Sequence, residues 1–235
     1  MTTFTVIRTE FYLFLHKIRF FLILSFVVAI TSLAGILVEV DDPLRLFMPQ
    51  ALAYYLGIFI GLSVISEDYE NKTLTALVLR AVPRRTIVIG KSVSLVLIYA
   101  LITIIALVFA DVIFFVFSGN HYTTALLFRA FASSVLTVFI MISLTVLVSS
   151  YFLKMIPTAI ASFVIFLLLI LLSVGASLTP IAAYFSPFFY VTDLGTPIPM
   201  TIQEIILSII GALIYALAFL GIAILFFEKR ELENL

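Results

Sequence analysis

Long apolar stretches alternate with short charged ones along this chain. A helix of about 20 apolar residues is long enough to cross the hydrocarbon core of a bilayer. Six runs of that kind are legible: Phe20 to Val38, Pro49 to Ser66, Ser92 to Phe117, Thr124 to Ser149, Pro157 to about Gly175, and Ile202 to Phe227. The second is a little short. Asp111 breaks the third, Arg129 lies near the start of the fourth, and Glu204 near the start of the sixth. The pattern predicts an all-α polytopic membrane protein with six transmembrane helices, forming a single transmembrane domain over 1–235.

Two stretches depart from simple spanning. Within residues 1–19, at the helical 100° per residue, Thr5, Arg8, Thr9, Tyr12, His16 and Arg19 share one face, and Phe4, Ile7, Phe11, Phe14, Leu15 and Ile18 share another. This predicts an N-terminal in-plane amphipathic helix with its basic face toward headgroups. The plainer alternative is a positive flank on the first span. Ser32-Leu33-Ala34 resembles a leader cleavage site, but the charged region before the apolar run is too long for one. The second departure is Met155 to Thr192, which holds no charged residue and is nearly twice too long for one straight span. Gly175, Pro180 and Pro187 are the expected breaks. Residues 176–200 are therefore expected to form an outer broken or re-entrant segment between spans five and six. Protein has to shield it from lipid, because irregular backbone is not tolerated against hydrocarbon.

Composition supports lipid as the solvent: 64% of residues are hydrophobic and 11% charged, against about 25% charged in soluble domains. Net charge is zero, so nothing global points to nucleic acid, and no nucleic-acid partner is expected. The placement of charge is more informative. Eleven of the 13 Lys and Arg residues fall on one side of the six-span layout, the exceptions being Arg45 and Arg129. Positive loops stay in the cytoplasm, so the sequence predicts a multi-pass protein of the cell membrane with both termini cytoplasmic. There is no cysteine, and the only histidines, His16 and His121, are far apart. No metal site is expected.

Much of the remaining charge gathers between the second and third spans, at 67–91, the expected cytoplasmic coupling loop. Glu67, Asp68 and Glu70 come first. Asn71 or Thr73 can cap a helix, Leu74, Leu77, Val78 and Ala81 recur at helical spacing, and Arg80, Arg84 and Arg85 surround Pro83. Pro83 suits the first turn of a helix that runs on into the third span. The short helix before it shows leucines with no evident partner. It is either a docking surface or a solvated loop whose leucines rest on the membrane interface. Gly90-Lys91-Ser92 imitates the end of a phosphate-binding loop, but Arg85 holds the place of its first glycine. Asn71-Lys72-Thr73 fits a glycosylation acceptor on the wrong side of the membrane.

Asp111 and Arg129 flank the short connection Ser118 to Tyr122 at similar distances, so the two intramembrane charges are expected to pair. That pair is either a structural brace or a substrate or proton site. Ala53, Gly57 and Gly61 repeat every four residues on the second span. Such a face of small residues packs helices closely, within the subunit or across a dimer.

The acidic turn, Thr-Leu, leucine helix, basic residues around proline and Gly-Lys resemble the membrane subunit of type-2 ATP-binding-cassette exporters. The matching residues are Glu67, Asp68, Thr73, Leu74, Leu77, Pro83, Arg84, Gly90 and Lys91. One position departs, since Lys72 stands where that family usually has glycine. The resemblance implies that Glu67, Asp68, Glu70, Thr73, Leu74, Leu77, Arg80, Arg84 and Arg85 form the ATPase-coupling site, docking on a separate cytosolic ATPase. It also implies a homodimer, or a heterodimer with a second permease, and export of a hydrophobic or amphipathic substrate. ATP and Mg would belong to the partner subunit, and no cofactor is expected in this chain, which has no Walker motif. A rival class is an ion- or proton-coupled secondary transporter using Asp111 and Glu204; no internal repeat supports it. A membrane-embedded enzyme is the third class. With no intramembrane Ser-His, Glu-His or metal constellation, no catalytic residue is assigned.

Overall fold

The computed structural model describes residues 3–15, 22–30, 48–71, 83–174, 186–196 and 198–229. Among them the regular structure is all helical: α1 (Thr3–Leu15), α2 (22–30), α3 (Met48–Leu62), α4 (Ser66–Glu70), α5 (Arg84–Ser118), α6 (Thr124–Phe152), α7 (Met155–Val174), α8 (Pro187–Leu194) and α9 (Ile202–Lys229). Among the described residues five stretches are long and apolar enough to cross a membrane: Met48–Glu70, Arg84–Ser118, Thr124–Phe152, Met155–Ser173 and Ile202–Lys229. Of the first expected span only the 22–30 helix lies within the described residues.

Helix ends follow local chemistry. α5 begins just after Pro83, whose carbonyl accepts from Thr86 and Ile87, and ends on Gly119 in the left-handed conformation at φ 72°. α6 and α7 are separated by only Leu153 and Lys154. α3 ends at Leu62, short of the expected Ser66, because a turn at 63–65 intervenes before the chain restarts as α4.

α6 is the axis of the bundle. It packs along both α3 and α9 and touches α5, α7 and α8. Small residues make this possible. A Cβ on Gly57 would lie 2.4 Å from Met141 Cβ, and one on Gly61 2.7 Å from Thr145 Cβ and 3.3 Å from the Ile142 Cα. The Ala53–Gly57–Gly61 face therefore packs inside the subunit, against α6. On the other side Ser208, Ala212, Ala216, Leu220 and Ala223 form the buried stripe of α9. One core cluster joins Val27, Ile98, Tyr99, Ile142 and Phe227, and a second joins Met141, Phe166, Phe188, Val191 and Ala216. Tyr99 donates its hydroxyl to the Pro49 carbonyl at 2.7 Å, tying α5 to the first turn of α3.

The packing at Gly57 and Gly61 gives a graded prediction. Gly57→Ala and Gly61→Ala each overpack the α3–α6 contact and should cost about 1–3 kcal/mol. Gly221→Ala, where a Cβ meets nothing within 4 Å, should be neutral or slightly stabilising through helix propensity. Thermal unfolding of the three variants in one detergent checks this; equal midpoints for Gly57→Ala and Gly221→Ala would refute the packing account.

Candidate functional site

Thr73, Leu74, Leu77 and Arg80, the centre of the expected coupling site, lie outside the described residues. Both arms that hold this stretch are described. On the incoming arm, Val64, Ile65 and Ser66 are buried. The Ser66 hydroxyl is 2.6 Å from Ser149 Oγ and 3.2 Å from Thr158 Oγ1, which ties α4 to the end of α6 and the start of α7. Glu70 Oε1 accepts the Met155 N–H at 2.8 Å, satisfying a donor in the first turn of α7. On the outgoing arm, Arg84 Nη1 donates to the Phe227 carbonyl at 3.1 Å and its guanidinium lies 5.9 Å from the Phe227 ring centre. A cation there complements the carbonyl-rich end of α9. Arg85 is exposed.

Lys91 closes the base between the two arms. Its ammonium is 2.5 Å from Asp68 Oδ2 and 3.5 Å from Glu10 Oε1, with only 9% of the side chain exposed. Three helices, α1, α4 and α5, thus meet on one charge. Beside it α1 lies close against α5. A Cβ on Gly90 would sit 2.7 Å from Val6 Cγ1, and the Ser94 hydroxyl is 3.1 Å from the Ile7 carbonyl. Lys91 figured in the sequence only as part of a motif. The signal that marks it is a lysine followed by about five turns of uncharged, mostly apolar helix before Asp111, because a charge so placed needs partners.

The opposite end of the bundle holds a second polar assembly. Arg129 is buried and donates to the Ile198 carbonyl at 2.8 Å and the Thr196 carbonyl at 2.7 Å. Gln50, also buried, donates to the Val191 carbonyl at 2.9 Å. The Gly195 N–H closes α8 onto Val191 and Thr192, and Gln50 occupies the space where a side chain at Gly195 would stand. Phe188 inserts into the core against Tyr54 and Phe166, with ring centres 5.3 and 5.5 Å apart. The irregular backbone after α8 is thereby met by protein donors, as nonhelical chain near a membrane requires.

Asp111 and Arg129, expected to pair, take separate partners. Asp111 accepts from the Tyr122 N–H at 2.9 Å and lies 2.8 Å from His121 Nδ1. Phe114 and Phe115 stack on Tyr122 and His121 in the same hairpin. Each charge sits within about two turns of the end of its helix, within reach of groups outside the helices: the hairpin turn for Asp111, and the carbonyls after α8 for Arg129. Glu204 is likewise engaged, in a capping box with the Thr201 N–H at 2.7 Å and hydroxyl at 2.9 Å. Both carboxylates assigned to the rival secondary transporter serve local structure. Among the described residues no three of His, Cys, Asp and Glu gather as a metal site.

Separate partners predict additivity. Asp111→Asn and Arg129→Met should each destabilise the protein, Arg129→Met by about 1–3 kcal/mol through its two abandoned carbonyls. The double variant should equal the sum within about 0.5 kcal/mol. Recovery of stability in the double variant would instead reveal a direct pair.

No curated protein sequence matches the chain. The family model described as ABC-2 family transporter protein matches residues 23–232, and so takes in the described helices after α1 but for the first residue of α2. That match joins an architecture of several apolar helices, as expected of a multi-pass membrane subunit. The chain belongs to the ABC-2 family of transporter proteins.

Proposed function

We propose that this chain is the permease subunit of an ATP-driven exporter, coupled through residues 67–91 to a separate cytosolic ABC ATPase that binds ATP and Mg. The observation that carries the reading is the braced base of that loop: Lys91 between Asp68 and Glu10, Glu70 on α7, and Arg84 on α9. A stretch anchored so firmly on both arms suits the transmission of force, and a loose solvated connection would not. Asp68, Glu70 and Arg84 act on this reading as supports, and Leu74 and Leu77 as the docking surface.

The remaining proposals follow the same layout. The chain has six spans with both termini cytoplasmic, α1 lies in the plane of the interface, and 176–200 forms the outer re-entrant segment. Two permeases work together. Their seam is assigned to α3 and α7, where exposed Tyr55 and Phe59 stand with Ile160 and Phe163 around an apolar cleft of about 510 Å³. So apolar a lining fits a hydrophobic or amphipathic cargo.

Two experiments test these statements. Leu77→Asp puts a charge into an apolar interface and should release the ATPase on co-purification and abolish transport, while a Thr75 variant and the membrane fold remain intact. An unchanged complex with unchanged transport would place the leucines on the membrane surface. For topology, single cysteines at Arg85 and Asn120, both exposed, should label from the cytoplasmic and the outer side respectively. Labelling at Arg85 from outside intact cells would overturn the orientation.

A further inference from the structure

The two sides of α1 have different tasks. Val6, Ile7 and Glu10 are spent on α5, through Gly90, Ser94 and Lys91. Because that face is fixed, the helix cannot roll. Phe4, Arg8 and Tyr12, one turn apart, lie on the exposed side of the helix, with Phe4 73% and Tyr12 61% exposed. They border a groove of about 820 Å³ completed by Ile7, Phe11 and Leu97. Among the described residues Arg8 is the only charged one of its lining. Glu10, the other charged residue of α1, is occupied by Lys91.

The groove also has a direction. α5 has 35 residues, or about 50 Å of helix, against a hydrocarbon thickness of about 30 Å. Its first turns therefore reach the headgroup layer. α1 crosses α5 at that level, beside Gly90 and Lys91. Leu97 lies six residues further on, about 9 Å deeper by helical rise. The α1 wall of the groove carries Arg8 with Phe4 and Tyr12 one turn to either side, and the α5 wall is the apolar Leu97. Aromatic rings favour the interfacial layer, and a guanidinium matches phosphate in charge and bidentate geometry.

We propose that the α1–α5 groove binds an anionic phospholipid, with its phosphate on Arg8 and an acyl chain running past Phe11 toward Leu97. A zwitterionic headgroup would bring its own ammonium against Arg8, so the site selects net negative lipids. The inference rests on α1 lying at the membrane interface, and not on the ATPase partner. It also gives α1 a ligand that presses it onto the Lys91 junction.

The test uses the full chain, purified in detergent and titrated with phosphatidylglycerol or phosphatidylcholine, with bound lipid counted by native mass spectrometry. The wild type should retain phosphatidylglycerol over phosphatidylcholine. Arg8→Gln should weaken phosphatidylglycerol about fivefold, from about 1 kcal/mol per basic residue near a charged surface, while its thermal midpoint in phosphatidylcholine stays that of the wild type. Inorganic phosphate should not compete. Arg8→Lys, which keeps charge but loses the fork, should fall between the two and replaces Arg8→Gln should that variant not fold. Equal retention of phosphatidylglycerol by wild type and variant, equal retention of both lipids by the wild type, or displacement by inorganic phosphate would each overturn the proposal.

Discussion

A lysine ammonium with 9% of its side chain exposed is stable beside apolar helices only when opposite charge meets it at close range. Lys91 has Asp68 from α4 and Glu10 from α1, two carboxylates carried by separate helices that both precede it in the chain. Much of the surrounding geometry depends on this requirement. α1 has to lie across α5 for Glu10 to arrive, so Gly90 yields space to Val6 and Ser94 reaches the Ile7 carbonyl. α3 has to break near Leu62 and restart as α4 for Asp68 to arrive, which in turn places Ser66 between α6 and α7. Removing the ammonium alone would leave two carboxylates facing each other, a worse arrangement than an apolar replacement of all three.

The same rule operates at the other end with different chemistry. There the groups in need are the Val191 carbonyl in the last turns of α8, met by Gln50, and the Thr196 and Ile198 carbonyls after it, met by Arg129. Between the two polar ends the helices meet through small residues. Gly57 and Gly61 bring α3 onto α6, and Ala212, Ala216 and Ala223 bring α9 onto its other side. Where apolar surface gains little from packing, because lipid is as apolar as leucine, close approach and satisfied polar groups supply the association. The bundle is therefore pinned at its ends and close-fitted along its middle.

These principles mark what a sequence can reveal here. Spans were legible because each is a local property: a run of apolar residues of sufficient length, as α5, α6, α7 and α9 show to within a few residues beyond Gly90. The partners of the charges were not. Arg129 and Asp111 look paired by their spacing about the hairpin, yet Arg129 bonds to carbonyls 67 and 69 residues away. Carbonyls are present at every residue and leave no mark in a sequence. The stripe Ala53, Gly57, Gly61 declared a close contact without naming its partner, since Met141 and Thr145 carry no reciprocal pattern. Lys91 could have been found by asking what neutralises a lysine at the foot of a long apolar helix.

The braced loop base has a mechanical consequence on the proposed reading. A push on residues 72–82 enters the membrane domain through two arms. One arm reaches α6 and α7 through Ser66 and Glu70, and the other is the start of α5 itself, with Arg84 on the end of α9. If the arms could slide past each other, the push would be dissipated in bending the loop. The Asp68–Lys91 contact joins them, so displacement is shared among α5, α6, α7 and α9 as one body. α1 joins that body through Glu10. A helix lying in the interface resists being drawn into or out of the headgroup layer, because its apolar and charged faces each favour one side. Linked to the body in this way, it resists the displacement that the spans share, and a lipid held in its groove would add to that resistance without touching the cargo path.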